Sequence, residues 1–274
     1  MQKRFTTLRV NTIKTNLSSV LNSLEAAHIS YETVSWDQNA LILKGTQKSD
    51  LESLDIYQNG EIYVQNLSSM LPPLILNPQP NTDILDMAAA PGSKTTQLAA
   101  LTNNQAHITA CEMHAMRAER LKHNIEKQGA TCIYVMVSDS RKIDSFFSFD
   151  SILLDSPCSG SGTLNLEAPN FEKYFTQKLI EKSVKTQKSL IQKAIQILKP
   201  GHEMVYSTCS ILSCENEEII ENALRTNLVE IVPIDFPGIS NLPLLPTKID
   251  GTLCVCPTEV YEGFFVAKLR KKGG

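Results

Sequence analysis

Between Thr82 and Ser207 the chain alternates short apolar runs of strand length with longer segments of helical periodicity. Thr82–Asp86, His107–Cys111, Thr131–Val137, Phe149–Asp155 and Glu203–Ser207 read as strands. Ser93–Leu101, Ala115–Gln128 (stopped at Gly129) and a long segment from about Thr176 to Leu198 read as helices. Successive strands joined through helices run parallel, so this pattern predicts an α/β fold: a doubly wound sheet with helices on both faces. Gly263–Leu269 reads as a closing strand. The preceding residues have a different character. Leu8–Asn11 looks like a strand, Asn16 caps a helix carrying Leu17, Val20, Leu21 and Leu24, and Tyr31–Trp36 with Ala40–Leu43 reads as a hairpin around Asp37-Gln38-Asn39. Asn77-Pro-Gln-Pro80 marks the change, which predicts a small α/β domain over 1–75 and a larger one over 76–274.

Composition narrows the class. With 42% hydrophobic and 20% charged residues among 274, disorder, collagen and coiled coil are excluded. The longest apolar runs, such as Met70–Leu76, fall short of the roughly 20 residues of a membrane span. Met1-Gln-Lys-Arg-Phe-Thr-Thr carries no apolar signal segment, so no membrane is expected and a cytoplasmic location is predicted. The net charge of −3 argues against non-specific coating of nucleic acid and leaves local basic faces open. The seven cysteines form no disulfide framework, and Cys254-x-Cys256 is too tightly spaced for a zinc site, so no metal is expected.

In an open parallel sheet, ligands bind beyond the carboxyl ends of the strands. Asp86-Met-Ala-Ala-Ala-Pro-Gly-Ser-Lys-Thr95 is a small-residue turn into a helix, suited to a carboxylate or phosphate. It is neither a P-loop nor G-x-G-x-x-G, which removes the main support for nucleotide hydrolysis or nicotinamide chemistry. Glu112 and Asp139 end the next two strands, where acidic side chains would surround an adenosine-like ligand. Cys158 and Cys209 follow strands that are neighbours in a doubly wound sheet, which puts two thiols in one pocket. Cys158 lies in the polar loop Asp-Ser-Pro-Cys-Ser-Gly-Ser-Gly, whereas Cys111 and Cys132 read as small buried hydrophobes. Lys94 is placed to lower a nearby thiol pKa. No His stands at a strand end beside the thiols, and Gly160-Ser161-Gly162 fails G-x-S-x-G, so papain-like and acyl-hydrolase readings lose support.

Asp86-Met-Ala-Ala-Ala-Pro-Gly-Ser-Lys-Thr, Leu154-Asp-Ser-Pro-Cys-Ser-Gly-Ser-Gly and Val205-Tyr-Ser-Thr-Cys-Ser followed by Glu215-Asn-Glu resemble the signatures of the NOL1/NOP2/Sun family of RNA cytosine-5 methyltransferases. Leu8–Asn11 and Gly263–Ala267 resemble its flanking segments, so the similarity runs over nearly the whole chain. The resemblance implies a class I (Rossmann-like) methyltransferase domain that uses S-adenosylmethionine, preceded by a small RNA-recognition-like domain. It implies that Ala88, Ala89, Ala90, Pro91, Gly92, Ser93 and Lys94 cradle the methionine end of the cofactor. Glu112 would hold the ribose, Asp139 would meet the adenine edge, and Asp155 would lie where cofactor and target base converge. Cys209 is then the nucleophile that adds to C6 of cytosine, Cys158 assists release, and Asp155 hydrogen-bonds or protonates the N3/N4 edge. Ala88 and Ser93 stand where the family more often has Cys and Gly; Ser93 restricts the backbone more than Gly would.

The partner expected is RNA, ribosomal in preference to transfer RNA, with the base unstacked to reach the pocket and the protein a monomer. Lys178, Lys182, Lys185 and Lys193 form a basic helix face, read either as solvated surface or as a phosphate track. The competing reading is a catalytically silent RNA-binding or ribosome-assembly factor that keeps the fold.

Overall fold

The computed structural model describes residues 4–164 and 175–273. The first part is an antiparallel sheet ordered β2-β3-β1-β4, made of β1 (Thr6–Val10), β2 (Tyr31–Val34), β3 (Asp37–Leu43) and β4 (Ile62–Val64). Helix α1 (Leu17–Ala26) lies on it, and Asn16 caps the helix by accepting a bond from the Ser19 amide. Leu8, Val10, Val20, Leu24, Leu41 and Leu43 close a small core, helped by two single-turn helices, α2 (Lys48–Leu51) and α3 (Asp55–Gln58). Val34, Trp36 and Ala40 belong instead to the larger core, and the Trp36 indole donates to the Tyr261 hydroxyl at 2.9 Å.

Helix α4 (Leu67–Leu76) follows despite Pro72 and Pro73 in its interior. Each proline removes a backbone donor, but Met70, Leu71, Pro72, Pro73, Ile75 and Leu76 are all buried, so packing overrides local propensity. Asn66 caps its start by accepting from the Ser68 amide, and Asn77 ends it in the left-handed region.

The second sheet runs β11-β12-β13-β9-β8-β5-β6-β7. Strands β5 (Asp83–Asp86), β6 (His107–Cys111), β7 (Ile133–Met136), β8 (Phe149–Asp155) and β9 (Leu198–Thr208) are mutually parallel. Strand β13 (Phe264–Lys271) joins β9 antiparallel, followed by β12 (Leu253–Val255) and β11 (Leu244–Leu245); β10 (Val229–Ile231) pairs with the far end of β13. The sheet is therefore mixed at one edge, because an antiparallel partner needs no crossover helix. Alternate residues bury opposite faces. Ile84, Leu153 and Val205 pack under α4 and α5 (Ser93–Leu101), while Leu85, Ile152, Leu154, Met204 and Tyr206 pack under α7 (Gln177–Ile197) and α8 (Glu217–Leu224). Helix α6 (Ala115–Gln128) links β6 to β7.

Two expectations need correction. Leu198, read as the end of a helix, is the first residue of β9, a strand longer than the apolar run Glu203–Ser207 suggested. The basic face of α7 is broken at Lys193, which is half-buried and donates to the Ile143 carbonyl at 3.0 Å; Lys178, Lys182 and Lys185 remain exposed. Among the described residues, no helix is long and apolar enough to cross a membrane.

Candidate active site

Strand β5 is flanked by β6 and β8, and chain order reverses there, so the turn after Asp86 sits at the switch point of the sheet. Asp86 is buried and anchors this turn: its carboxylate accepts from the Thr95 hydroxyl at 2.7 Å and from the Ala88 amide at 3.4 Å. Burial pushes its pKa up to about 6. The Ala90–Pro91 bond is cis, and Gly92 has φ 109°, a value that glycine alone adopts without strain. Three side chains from two other elements, α6 and β1, hold the turn's carbonyls. Arg117 donates to Ala90 at 2.8 Å, Asn124 to Pro91 at 2.7 Å, and Arg9 of β1 to Ser93 at 3.5 Å. Ser93 is the first residue of α5 and has no left-handed φ, so serine in place of glycine asks nothing unusual of the backbone.

On one side of this turn lies a cavity of about 330 Å³, within the size range of small-ligand sites. Met87, Ala88, Cys111, Glu112, Met113, His114, Arg117, Ser138, Asp139, Ser140, Arg141, Pro157, Lys182, Thr186 and Leu190 line it. Glu112 is buried at the end of β6, accepting from the His114 amide at 2.8 Å with Arg117 at 3.4 Å. Asp139, after β7, accepts from the Arg141 side chain at 2.9 and 2.6 Å, and that pairing holds it below the usual carboxylate range. Carboxylates at successive strand ends, facing apolar Met87, Pro157 and Leu190, match what a nucleoside needs: acceptors for its hydroxyls and a greasy slot for its ring. These residues fit the adenosyl part of S-adenosylmethionine.

The structure does not gather every expected residue around that cavity. Of Ala88–Lys94, only Ala88 lines it among the described residues. Ala89 and Ala90 are buried against Ala110 and Leu121, and Pro91 and Ser93 face a second cleft. The small size of Ala89 and Ala90 serves close packing of the turn between β5, β6 and α6. A side chain at Gly92 would come within 2.9 Å of Leu121. Asp155 and Lys94 are also absent from the cavity's lining and stand instead beside the thiols.

Cys158 and Cys209 meet as the neighbouring strands predict, with their Sγ atoms 3.3 Å apart, and both are partly exposed. A hydrogen bond from the Cys158 thiol, aided by the charge of Lys94, lowers the Cys209 pKa below the ordinary thiol value against burial and the opposing charge of Asp155. The same bond, burial and the nearby Glu215 carboxylate raise that of Cys158. Cys209 is thus the sulfur disposed to carry negative charge. Lys94 bonds Asp155 at 2.7 Å and Ser69 at 2.8 Å, and lies 5.4 Å from the centre of the Phe264 ring. The other Asp155 oxygen accepts from the Ser207 hydroxyl at 2.7 Å, so the carboxylate is arranged as an acceptor. Cys111 and Cys254, by contrast, are buried and pushed up to about 12.

Reading the sequence missed Ser69, Ser207 and the cations Arg9 and Arg117. Ser207 had a signal: it is the register partner of Asp155 on the adjacent parallel strand. Ser69 had none, because nothing in an apolar, proline-containing run announces a helix that faces the site. Gly162 and Gly263 mark a close approach of the Cys158 loop to the start of β13, since a side chain on Gly162 would lie 1.9 Å from the Gly263 carbonyl.

A family profile described as 16S rRNA methyltransferase RsmB/F matches residues 73–270. The chain is 36% identical over 278 residues to the ribosomal RNA small subunit methyltransferase F of Shewanella loihica, covering 96% of this chain and 56% of that protein. It thus spans little more than half the length of this curated relative. The crystal structure of PH0851 matches with TM-score 0.90 at 31% identity, covering 99% of this chain and 60% of its own. A methyltransferase homolog protein from Pyrococcus horikoshii matches with TM-score 0.84 at 32% identity, covering 98% and 87%.

Proposed function

The chain belongs to the family described as 16S rRNA methyltransferase RsmB/F, and on that premise we propose that it transfers a methyl group from S-adenosylmethionine to C5 of a cytosine in ribosomal RNA, through a covalent bond between Cys209 and C6 of the base. The observation that carries this reading is the 3.3 Å contact of Cys209 with Cys158 on the strand ends that also bring Lys94 onto Asp155. Two thiols in contact have no task in methylation of a small molecule or a protein amine. Pyrimidine C5 is a weak nucleophile and needs electron density from a thiolate added at C6.

The cofactor, held by Glu112, Asp139 and the apolar wall of the 330 Å³ cavity, supplies an electrophilic methyl group when bound. The chain's own residues do the rest. The Cys209 thiolate adds its electron pair to C6; the C5=C6 π bond breaks and its electrons are delocalised over C5, C4 and N3, which makes C5 nucleophilic. Asp155, an acceptor fixed by Lys94 and Ser207, takes a hydrogen bond from the N4 amino group and orients the base edge-on. Once C5 carries the methyl group, its proton is lost to solvent. The C5–H electrons then restore the double bond and expel Cys209 as a thiolate. Cys158, donating its S–H to that sulfur, stabilises the departing charge.

Residues 1–75 act as the RNA-recognition unit in this reading. Support comes from a cleft of about 410 Å³ whose lining includes Lys48, Tyr57, Tyr63, Lys127 and Glu262, on the face of the Ala88–Lys94 turn away from the cofactor cavity. Lys127 stands 3.9 Å from the Tyr57 ring centre, so the cleft offers a cation and aromatic faces to a single strand. The protein works as a cytoplasmic monomer, with ribosomal rather than transfer RNA as substrate.

Incubation with methyl-labelled S-adenosylmethionine and either 16S ribosomal or transfer RNA tests the proposal. Labelled 5-methylcytosine is expected in the ribosomal RNA. RNA binding without 5-methylcytosine in either RNA would overturn it in favour of a catalytically silent binding factor.

A further inference from the structure

Glu215 is fully buried, yet its carboxylate is satisfied by four neutral donors. One oxygen accepts from the Ser159 amide at 2.7 Å and the Gln187 side chain at 3.5 Å; the other accepts from the Ser159 hydroxyl at 2.6 Å and the Ser210 hydroxyl at 2.6 Å. Ser159 immediately follows Cys158, and Ser210 immediately follows Cys209. A single rigid group therefore ties together the two loops that carry the sulfurs. The strut is itself braced. The Tyr206 hydroxyl donates to the Glu215 carbonyl at 2.6 Å, and Asn216 bonds the Ser210 carbonyl at 2.9 Å. Burying a carboxylate with no cation beside it among the described residues is expensive compared with an apolar side chain of similar size, so fold stability alone is a poor reason to place one here.

We infer that Glu215 is a positioning residue, holding the Cys158 and Cys209 loops together so that the two sulfurs stay in contact for addition to the base and release from it. The inference rests on the reaction assigned to these thiols above.

Alignment of the sulfurs can be read without RNA or cofactor. Diamide joins two thiols into one disulfide, its N=N bond taking up the two protons and two electrons released. The rate of Cys158–Cys209 disulfide formation in the full chain, followed by peptide mass spectrometry, therefore reports how often the sulfurs meet. Glu215→Ala is expected to slow it about tenfold, since displacements near 1 Å in a reacting pair carry penalties of this order or more. The near-isosteric Glu215→Gln is expected to stay within about threefold of wild type, because amide and hydroxyls can re-pair without changing the geometry. Methyl-transfer kcat should fall with Glu215→Ala while S-adenosylhomocysteine binding is kept, which also shows that the variant is folded. A folded Glu215→Ala that forms the disulfide at the wild-type rate overturns the inference. So does Glu215→Gln slowed as much as Glu215→Ala, which would assign the effect to charge. Should Glu215→Ala fail to fold, Ser159→Ala and Ser210→Ala each remove one tether; slowing of about threefold supports the role, and wild-type rates in both overturn it. If these disulfide rates behave as expected but the wild-type protein methylates no cytosine, the assigned reaction fails and the positioning role of Glu215 stands.

Discussion

Lys94 at the start of α5 and Asp155 at the end of β8 form an ion pair of 2.7 Å that joins the cofactor-side turn to the thiol-side loop. The pair is largely shielded, with the Lys94 side chain 11% and the Asp155 side chain 28% exposed. Such a pair contributes less to stability than to a fixed arrangement of charge near the Cys209 thiol.

Lys94→Met should therefore act on chemistry more than on cofactor affinity. Asp155 keeps only Ser207 among its described partners, and Cys209 loses a cation that favours its thiolate. The rate of methyl transfer is expected to fall by roughly 10²-fold, the scale seen when one preorganised electrostatic partner is removed. Single-turnover kinetics at saturating cofactor, with a parallel S-adenosylhomocysteine titration, separate the two effects.

The pH dependence follows from the thiol pair. The thiolate is the nucleophile, and Cys209 is held below the ordinary thiol value by the Cys158 S–H, so its reactivity should rise with pH and level off below the pH expected of a free cysteine. Cys158→Ala removes that donor and should move the rising limb to higher pH. Alkylation of Cys209 by iodoacetamide across pH 6–10, a span chosen to bracket ordinary thiol titration, checks the shift.

Asp86 gives a stability signature of opposite sense to that of most carboxylates. Burial raises its pKa to about 6 in the folded protein, against about 3.9 in an unfolded chain. Between those values the folded state keeps a proton that the unfolded state has released. This contribution is fully present below about pH 4 and is lost as pH rises through about 6, to the extent of ~3 kcal/mol. Asp86→Asn keeps an acceptor for Thr95 and should flatten this slope. Urea unfolding midpoints of both proteins at several pH values between these limits provide the comparison.

Glu112 is the more buried of the two carboxylates lining the 330 Å³ cavity proposed to hold the cofactor. Glu112→Gln should weaken S-adenosylhomocysteine binding by about tenfold or more, the cost of a hydrogen bond to a charged acceptor, while leaving the KM for RNA unchanged. Calorimetric titration and initial-rate measurements distinguish these two constants.

How far the sequence revealed this site depended on what each feature required. The meeting of Cys158 and Cys209 was legible because parallel neighbours in a doubly wound sheet bring equivalent strand ends together, and β8 and β9 do so. Glu112 and Asp139 were legible for the same reason. Helix α4 was not, because Pro72 and Pro73 oppose a helix locally and only the surrounding core restores it. Ser69 was lost with it. The antiparallel direction of β13 leaves no trace in an apolar run, whose periodicity is the same either way. Arg9 lies within the predicted strand Leu8–Asn11 with nothing to mark it for the site, yet it is buried against Tyr63 and reaches Thr96 at 3.2 Å, a contact between segments distant in the chain. Ala89–Ser93 carried the right composition for a binding turn, but Ala89 and Ala90 serve its packing and Pro91 and Ser93 face the second cleft rather than the cavity.

The division of labour between the two sulfurs is tested most directly by denaturing-gel analysis of the protein with S-adenosylmethionine and 16S ribosomal RNA. The account predicts that Cys158→Ala accumulates a covalent protein–RNA adduct, that Cys209→Ala forms none, and that neither variant turns over at the wild-type rate. An adduct formed equally well by Cys209→Ala, or 5-methylcytosine produced without Cys209, would contradict it.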